Sequence, residues 1–149
     1  MPVTIRPARA GDQGAITALV RAARLNPAAL DWPRFMVAER DGRIVGVAQL
    51  RRHPDGAVEL ASLVVAPSLR GQGTATRLID ALLETDTGTV FTLIDRAYAG
   101  HFGRWGFAVV RPAELPRSVR RTYRIGRVVT ALASIPARRA IRIVAMRRG

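Results

Sequence analysis

The spacing of apolar residues along the first half of the chain switches between period two, typical of strands, and period 3.6, typical of helices. It predicts a strand at 3–5, a helix that begins after Asp12 and ends by Asn26, a loop at 26–34, and strands at 35–39, 43–50 and 58–65. Asp12 can cap the helix, whose apolar positions are Ile16, Leu19, Val20 and Ala23. Asp41-Gly42 is a two-residue hairpin signal. The segment 58–65, VELASLVV, is the most apolar, which predicts a central strand.

The second half of the chain continues this alternation. It predicts a helix with apolar positions from Ala75 to Leu83, a strand at 89–94, a short helix at 97–105, a strand at 107–110, a basic helix at about 116–135 and a last strand after Pro136. The apolar stripe of the basic helix consists of Ile125, Val128, Val129 and Leu132. The last strand carries Ile141, Ile143 and Ala145, and its flanking arginines predict a position near a sheet edge. The order of elements predicts an α/β class with a mixed sheet, in one domain spanning 1–149.

Composition excludes several kinds of chemistry. With no cysteine, the chain has no disulfide, no thiolate metal ligand and no thiol nucleophile. His53 and His101 are its two histidines, so a histidine-rich metal site is disfavoured and no metal is predicted. No apolar run approaches the roughly 18–20 residues of a membrane span, and the first ten residues lack the apolar core of a leader peptide. We therefore expect a cytoplasmic protein without a membrane span.

The formal net charge of +13 comes mainly from the C-terminal region, and all 24 basic residues are arginines. Residues 1–110 carry 13 arginines against 10 acidic residues, whereas residues 111–149 carry 11 arginines against Glu114 alone. Such asymmetry favours an anionic partner, which leaves nucleic acid, a lipid surface and a phosphorylated small molecule as candidates. Nucleic acid is disfavoured, because aromatic residues make up 5% of the chain and no recognition motif is present.

A glycine-rich loop lies between the central strand and the next helix. Its residues are Arg70, Gly71, Gln72, Gly73, Thr74 and Ala75. Glycines immediately before a helix let several backbone N–H groups point inward, where they and the positive helix end can bind phosphate oxygens. The loop lacks the Lys-Ser/Thr of a P-loop and the third glycine of the dinucleotide fingerprint. Taken alone, it fits an anion site and a plain turn equally well.

In its context, this loop resembles motif A of the GNAT superfamily of acetyl-CoA-dependent N-acetyltransferases, whose loop pattern is Q/R-x-x-G-x-G/A. Arg70, Gly73 and Ala75 fill the pattern. The segment from His101 to Phe107, HFGRWGF, resembles motif B with its terminal Gly-Phe. The resemblance extends over nearly the whole chain, including the order of elements. It implies the acyl-CoA N-acyltransferase fold of this superfamily and acetyl-CoA as the co-substrate.

The resemblance also implies where the co-substrate binds. The backbone of Leu63, Val64 and Val65 would pair with pantetheine, and the amides from Arg70 to Ala75 would hold the pyrophosphate. Many family members have a tyrosine, four residues before the glycine of Gly-Phe, that protonates the leaving thiolate. Here that position is Phe102, which we assign to cofactor binding, so Tyr98, His101 or water would supply the proton. His53 lies in a predicted turn and is expected to be inert.

Glu59 is an acidic residue in a strongly apolar strand. By strand alternation it shares a face with Ala61, Leu63 and Val65. A carboxylate buried there could accept a proton, directly or through water, from an ammonium group that must be neutral to attack a thioester. Glu59 also matches the general-base glutamate of many GNAT members. The alternative is an exposed residue at the strand end, paired with an arginine.

Together these inferences predict an acetyl-CoA-dependent N-acetyltransferase. It would move an acetyl group to a primary amine of a small molecule or amino acid by direct attack in a ternary complex. The resemblance places the acceptor beside residues 24–35. Two other functions stay open: a noncatalytic CoA-binding module, and a protein that binds nucleic acid or an anionic membrane face through the C-terminal arginines. The assembly is also open, with a homodimer as one option.

Overall fold

Strands and helices follow each other in the predicted order in the computed structural model, which describes residues 2–134 and 142–149, with side chains for 2–126 and 142–149. The strands are β1 (Thr4–Pro7), β2 (Phe35–Arg40), β3 (Arg43–Arg52), β4 (Val58–Val65), β5 (Val90–Asp95), β6 (Ala108–Val110) and β7 (Ile143–Arg148). The α-helices are α1 (Gln13–Ala22), α2 (Thr74–Glu84), α3 (Ala99–Phe102) and α4 (Arg117–Ser134). The predicted α/β class and order of elements are confirmed. The helix predicted at 97–105 is shorter, because 3₁₀ turns occupy Arg96–Tyr98 and Gly103–Trp105 on either side of α3.

The chain forms two compact units, and the first consists of Met1–Arg51 and Leu60–Thr87. In it, β1 pairs antiparallel with β2, and β2 with β3. Asp41 and Gly42 both have positive φ in the turn between β2 and β3, which confirms the predicted hairpin. The core combines α1 with the strands through Ile16, Val20, Phe35, Val37, Val47 and Val64. The buried face of α2 consists of Leu78, Ile79, Leu82 and Leu83, as its helical spacing predicts.

Asp12 does not cap α1 in the way that the sequence predicts. Its carboxylate makes no hydrogen bond to the amides of α1. It accepts hydrogen bonds from the N–H of Arg9 at 2.7 Å and from the guanidinium of Arg6 at 2.8 Å. The hydrogen bond from Arg6 is the main reason why the pKa of Asp12 lies below its usual range. The side chain of Asp12 therefore stabilises the 3₁₀ turn before the helix.

Gly46 in β3 allows the strand to pack closely against its neighbours in the first unit. A Cβ atom placed there would lie 3.2 Å from Cδ1 of Leu78, 3.3 Å from Cβ of Ala38 and 3.3 Å from the carbonyl oxygen of Val64. The carbonyl oxygen of Val64 belongs to the backbone, and Leu78 is a buried residue of α2. Neither atom can shift without disturbing the packed core. Only glycine fits this position without strain.

Gly46→Ala is expected to lower the free energy of unfolding by about 1–3 kcal/mol, because the added methyl group overpacks the core. Urea titration followed by circular dichroism measures this loss. Gly14→Ala is the matched control, since nothing lies within 4 Å of a Cβ at this position in α1. Removal of a helical glycine is expected to raise stability, by about 0.5–1 kcal/mol. Equal effects of the two substitutions would contradict the packing argument.

The second unit consists of Arg52–Glu59 and Gly88–Gly149. In it, β7 pairs antiparallel with β5 on one side and with β6 on the other. The short strand β6 lies at the edge of the sheet and pairs with only three residues of β7, from Ala145 to Arg147. β7 therefore lies next to the sheet edge, which confirms the predicted position near it. Arg147 and Arg148 lie at the end of β7, beyond its buried residues Ala145 and Met146. Ile141 of the predicted strand lies outside the described residues.

Among the described side chains of α4, the residue that is fully buried is not one of those predicted for its apolar stripe. Val119 is fully buried in a cluster with Leu115, and Tyr123 packs against that cluster. Ile125, which the sequence places in the apolar stripe, is 55% exposed. The side chains of Val128, Val129 and Leu132 lie outside the described residues. None of the helices in the described part of the chain is long and apolar enough to cross a bilayer.

Candidate active site

The loop from Arg70 to Ala75 is built for close approach of a ligand to its backbone. Gly71 and Gly73 have φ values of 77° and 81°, a left-handed conformation that side chains rarely adopt. Both glycines are exposed, and a Cβ at either position would have no atom within 4 Å. Successive backbone N–H groups in such a conformation form a concave anion-binding surface.

The helix α2 begins directly after this loop, with Gly73 as its N-cap residue. No side chain caps the helix, and no acidic residue lies in its first turn. The first amides of a helix have no partner within the helix, and the helix dipole favours an anion beside them. Thr74 is buried and fixes the start of the helix against its unit, while Arg70 and Gln72 are exposed. The predicted loop residues therefore lie together in an arrangement that fits a phosphate group.

Glu59 is buried in β4 with an exposed fraction of 4%. Its Oε1 atom lies 2.8 Å from Nε2 of His53, whose side chain is 10% exposed. The exposed alternative for Glu59 is thereby excluded. His53, which the sequence places in a turn and which we expected to be inert, lies in contact with this carboxylate. A carboxylate held against an imidazole forms a pair between which a proton can move. The sequence signal for His53 was the tight turn between β3 and β4, which brings the two strand ends side by side.

The turn that carries His53 is fixed by several hydrogen bonds. The N–H of His53 donates to the carbonyl of Ala57 at 2.9 Å, and the N–H of Gly56 donates back to His53 at 3.0 Å. The carboxylate of Asp55 accepts from the hydroxyl of Ser118 at 2.8 Å and from its N–H at 3.1 Å, in the first turn of α4. The hydroxyl contact is the main cause of a lowered pKa of Asp55. Asp55 thus connects the turn that carries His53 to the first turn of α4.

The strand β4 contains an irregularity at Ser62, which has a φ of 57°. A residue in the left-handed conformation interrupts the pleat of a strand and changes the direction in which the following side chains point. The predicted alternation that places Glu59 on one face with Leu63 and Val65 therefore does not run through the strand without a break. Val64 is buried, and Leu63 and Val65 are half-buried.

The aromatic residues of the second motif lie around α3. Phe102 is 5% exposed, and its ring packs edge-on against Trp105 and Phe107 at centroid distances of 5.4 and 5.8 Å. Tyr98 is 59% exposed, and His101 is exposed with its ring edge-on to Trp105. Within residues 2–134 and 142–149, no three His, Asp or Glu side chains form a group that could hold a metal ion.

Comparisons with known proteins show the family and the fold of the chain. A family model described as the acetyltransferase (GNAT) family matches residues 11–102. Among solved structures, the chain is similar to N-acetylglutamate synthase from Neisseria gonorrhoeae, which was solved with coenzyme A and N-acetyl-glutamate. The identity is 24% and the TM-score is 0.76 over 99% of this chain. The chain spans only 35% of the length of that synthase. Comparison with curated protein sequences found no match.

Two further structures match with lower identity. Rv2747 from Mycobacterium tuberculosis, solved with CoA and NLQ, is 23% identical with a TM-score of 0.71, over 97% of this chain and 98% of that one. Diaminobutyrate acetyltransferase EctA from Paenibacillus lautus, solved with L-2,4-diaminobutyric acid and coenzyme A, is 21% identical. Its TM-score is 0.60 over 73% of this chain and 80% of that one. These likenesses confirm the predicted fold.

Proposed function

Because the chain belongs to the acetyltransferase (GNAT) family, we propose that it transfers an acetyl group from acetyl-CoA to a primary amine of a small molecule or an amino acid. Acetyl-CoA is the co-substrate and supplies an acetyl group activated as a thioester. The observation that carries the proposal is the buried contact between Glu59 and His53. The chain has no cysteine that could hold the acetyl group covalently, so the amine attacks the thioester directly in a ternary complex.

The loop from Arg70 to Ala75 would hold the pyrophosphate of the co-substrate. The open space beside Gly71 and Gly73 and the first amides of α2 support this assignment. The backbone of Leu63, Val64 and Val65 would pair with the pantetheine arm. The bend that Ser62 introduces in β4 supports it, because such a bend redirects a strand where a ligand approaches.

Glu59 would accept the proton of the ammonium group, so that the amine nitrogen has a lone pair for attack. The 2.8 Å contact lets His53 take that proton from Oε1 through Nε2, or hold the carboxylate in one orientation. His53 is the less buried of the two and so provides the exit for the proton. The hydrogen bonds that Asp55 accepts from Ser118 fix the turn that carries His53.

The thiolate that leaves must also gain a proton. Phe102 has no hydroxyl group and is packed among aromatic rings, so it serves as a packing residue beside the co-substrate in this proposal. Tyr98 and His101 are both exposed, and either side chain can donate a proton to a ligand. Water is the third donor that the exposure of this region supports.

The acceptor class rests on the chemistry of the neighbours. Two of the similar structures were solved with amino-acid ligands, N-acetyl-glutamate and L-2,4-diaminobutyric acid. The net charge of the chain favours a neutral or acidic acceptor over a basic peptide. We therefore place amino acids and small neutral amines first among the candidates.

The proposal is tested by release of free CoA thiol from acetyl-CoA in the presence of a panel of amines and amino acids. We expect release that depends on the amine and yields the N-acetylated product by mass spectrometry. Coenzyme A binding without any turnover would favour a noncatalytic CoA-binding module. Tight, salt-sensitive binding to DNA or anionic liposomes, without turnover, would favour the arginine-rich region as a docking surface.

A further inference from the structure

Gln49 is a fully buried amide in β3 of the first unit. Its Nε2 atom donates to the carbonyl oxygen of Ala29 at 3.0 Å and to Oγ of Ser62 at 2.9 Å. A carbonyl oxygen can only accept, so the contact with Ala29 fixes which end of the amide is nitrogen. The Oε1 atom has no hydrogen-bond partner among the described residues. Buried acceptors in folded proteins nearly always have a donor, so this atom points to a ligand.

Residues 28–30, which include the carbonyl group bonded to Gln49, are held to the first unit by side chains that bond to their backbone. Arg51 donates to the carbonyl of Ala28 at 3.0 Å, and Gln13 donates to the carbonyl of Leu30 at 2.7 Å. Ala29 has a φ of 55°, which is strained for alanine. Residues 21–28 are exposed. A strained surface segment that a few hydrogen bonds hold can open at low cost and give a small molecule access to Gln49.

Ser62 connects this amide to the proposed reaction. It lies in β4 three residues after Glu59 and immediately before Leu63, where the pantetheine arm is proposed to pair. A ligand that reaches Gln49 would therefore be held by a group bonded to the strand directly before the residues that are proposed to pair with the pantetheine arm. On this ground we assign the ligand as the acceptor amine rather than the co-substrate.

We propose that Oε1 of Gln49 accepts a hydrogen bond from a second donor group of the acceptor, a hydroxyl group separate from the reacting amine. This inference rests on the proposed acetyl transfer. Gln49 is then a specificity-determining residue, and the enzyme selects small amines and amino acids that carry such a donor. An acceptor with a methyl group in its place leaves the buried oxygen without a partner and is rejected.

The test compares acceptors of equal size that differ in one hydroxyl group: ethanolamine against propylamine, and L-serine against L-2-aminobutyrate. In the wild type, we expect kcat/KM to be about 10-fold or more higher for the hydroxyl-bearing member of at least one pair. Gln49→Met should reduce that ratio to near one by slowing the hydroxyl-bearing acceptor alone, with the dissociation constant of CoA unchanged. If Gln49→Met does not fold, the wild-type enzyme alone still tests the proposal. A wild-type ratio of kcat/KM near one in both pairs overturns it.

Gln13→Met is the matched control. Gln13 holds the same segment, but both ends of its amide have partners, since its Oε1 accepts from the N–H of Trp32 at 2.9 Å. We expect this variant to keep the wild-type ratio. Equal loss of the ratio in Gln13→Met, or weaker CoA binding in Gln49→Met, would overturn the assignment of Oε1 to the acceptor.

Failure of the proposed acetyl transfer is separable from failure of this inference. If no amine is acetylated, binding of the same pairs is measured by calorimetry with CoA present. Tighter binding of the hydroxyl-bearing member by the wild type, lost in Gln49→Met, supports the inference. Equal binding of both members by the wild type overturns it.

Discussion

Glu59→Gln is expected to lower kcat/KM for acetyl transfer by about 10²–10⁴-fold, the usual contribution of a general base. Glutamine has nearly the same shape and can still bond to His53, so the buried pair keeps its packing. It cannot take a proton from the ammonium group, and only the small neutral fraction of the amine then reacts near neutral pH. Steady-state kinetics with the best acceptor of the panel, from pH 6 to pH 10, measure the loss.

The pH profile separates proton removal from a structural role. As pH rises, more of the amine is already neutral in solution, so the variant should recover rate and approach the wild type. CoA binding by calorimetry and the thermal midpoint serve as controls and should stay unchanged. His53→Asn is expected to cause a smaller loss, because Glu59 remains to accept the proton. A Glu59→Gln enzyme with the same deficit at every pH, or with no deficit, would contradict the assignment.

The strands and the glycine loop could be predicted from the sequence because local patterns determine them. The bounds of β4 at 58–65 follow from its apolar run, and the left-handed turn at Asp41 and Gly42 follows from a dipeptide that prefers it. The burial of Glu59 followed from the apolar residues on both sides of it.

Features that depend on contacts between distant residues could not be predicted in this way. Helical periodicity shows that α4 has two faces, but only packing selects Val119 over Ile125 as the buried one. The position of β7 between β5 and β6 depends on pairing with strands that are far from it in the chain. Gln49 is an ordinary polar residue in sequence, and only the folded chain brings the carbonyl oxygen of Ala29 to its Nε2 and leaves its Oε1 buried.

The same distinction separates the two histidines. The sequence favours His101 over His53, because His101 lies in the segment that resembles motif B and His53 lies in a predicted turn. The contact with Glu59 makes His53 the histidine that we place in the proposed proton transfer. This contact arises from the turn between β3 and β4, which bonds through Asp55 to Ser118 in α4.

Gly73→Val is expected to weaken CoA binding by about 10- to 100-fold, since loss of one or two hydrogen bonds to a charged group has this effect. The φ of 81° at Gly73 is strained for any residue with a Cβ and most of all for a β-branched one. The side chain would also fill the open space beside the first amides of α2, where the phosphate is proposed to lie. Calorimetric titration with CoA measures the change.

Gly56→Val is the control for backbone strain, because Gly56 has a φ of 86° and equally open surroundings, but lies in the turn after His53. Both variants should lose a similar amount of stability in thermal unfolding, on the order of 1–3 kcal/mol. Only Gly73→Val should lose affinity for CoA, because only its side chain stands between the phosphate and the helix amides. Wild-type affinity in Gly73→Val, or an equal loss in Gly56→Val, would show that the phosphates bind elsewhere.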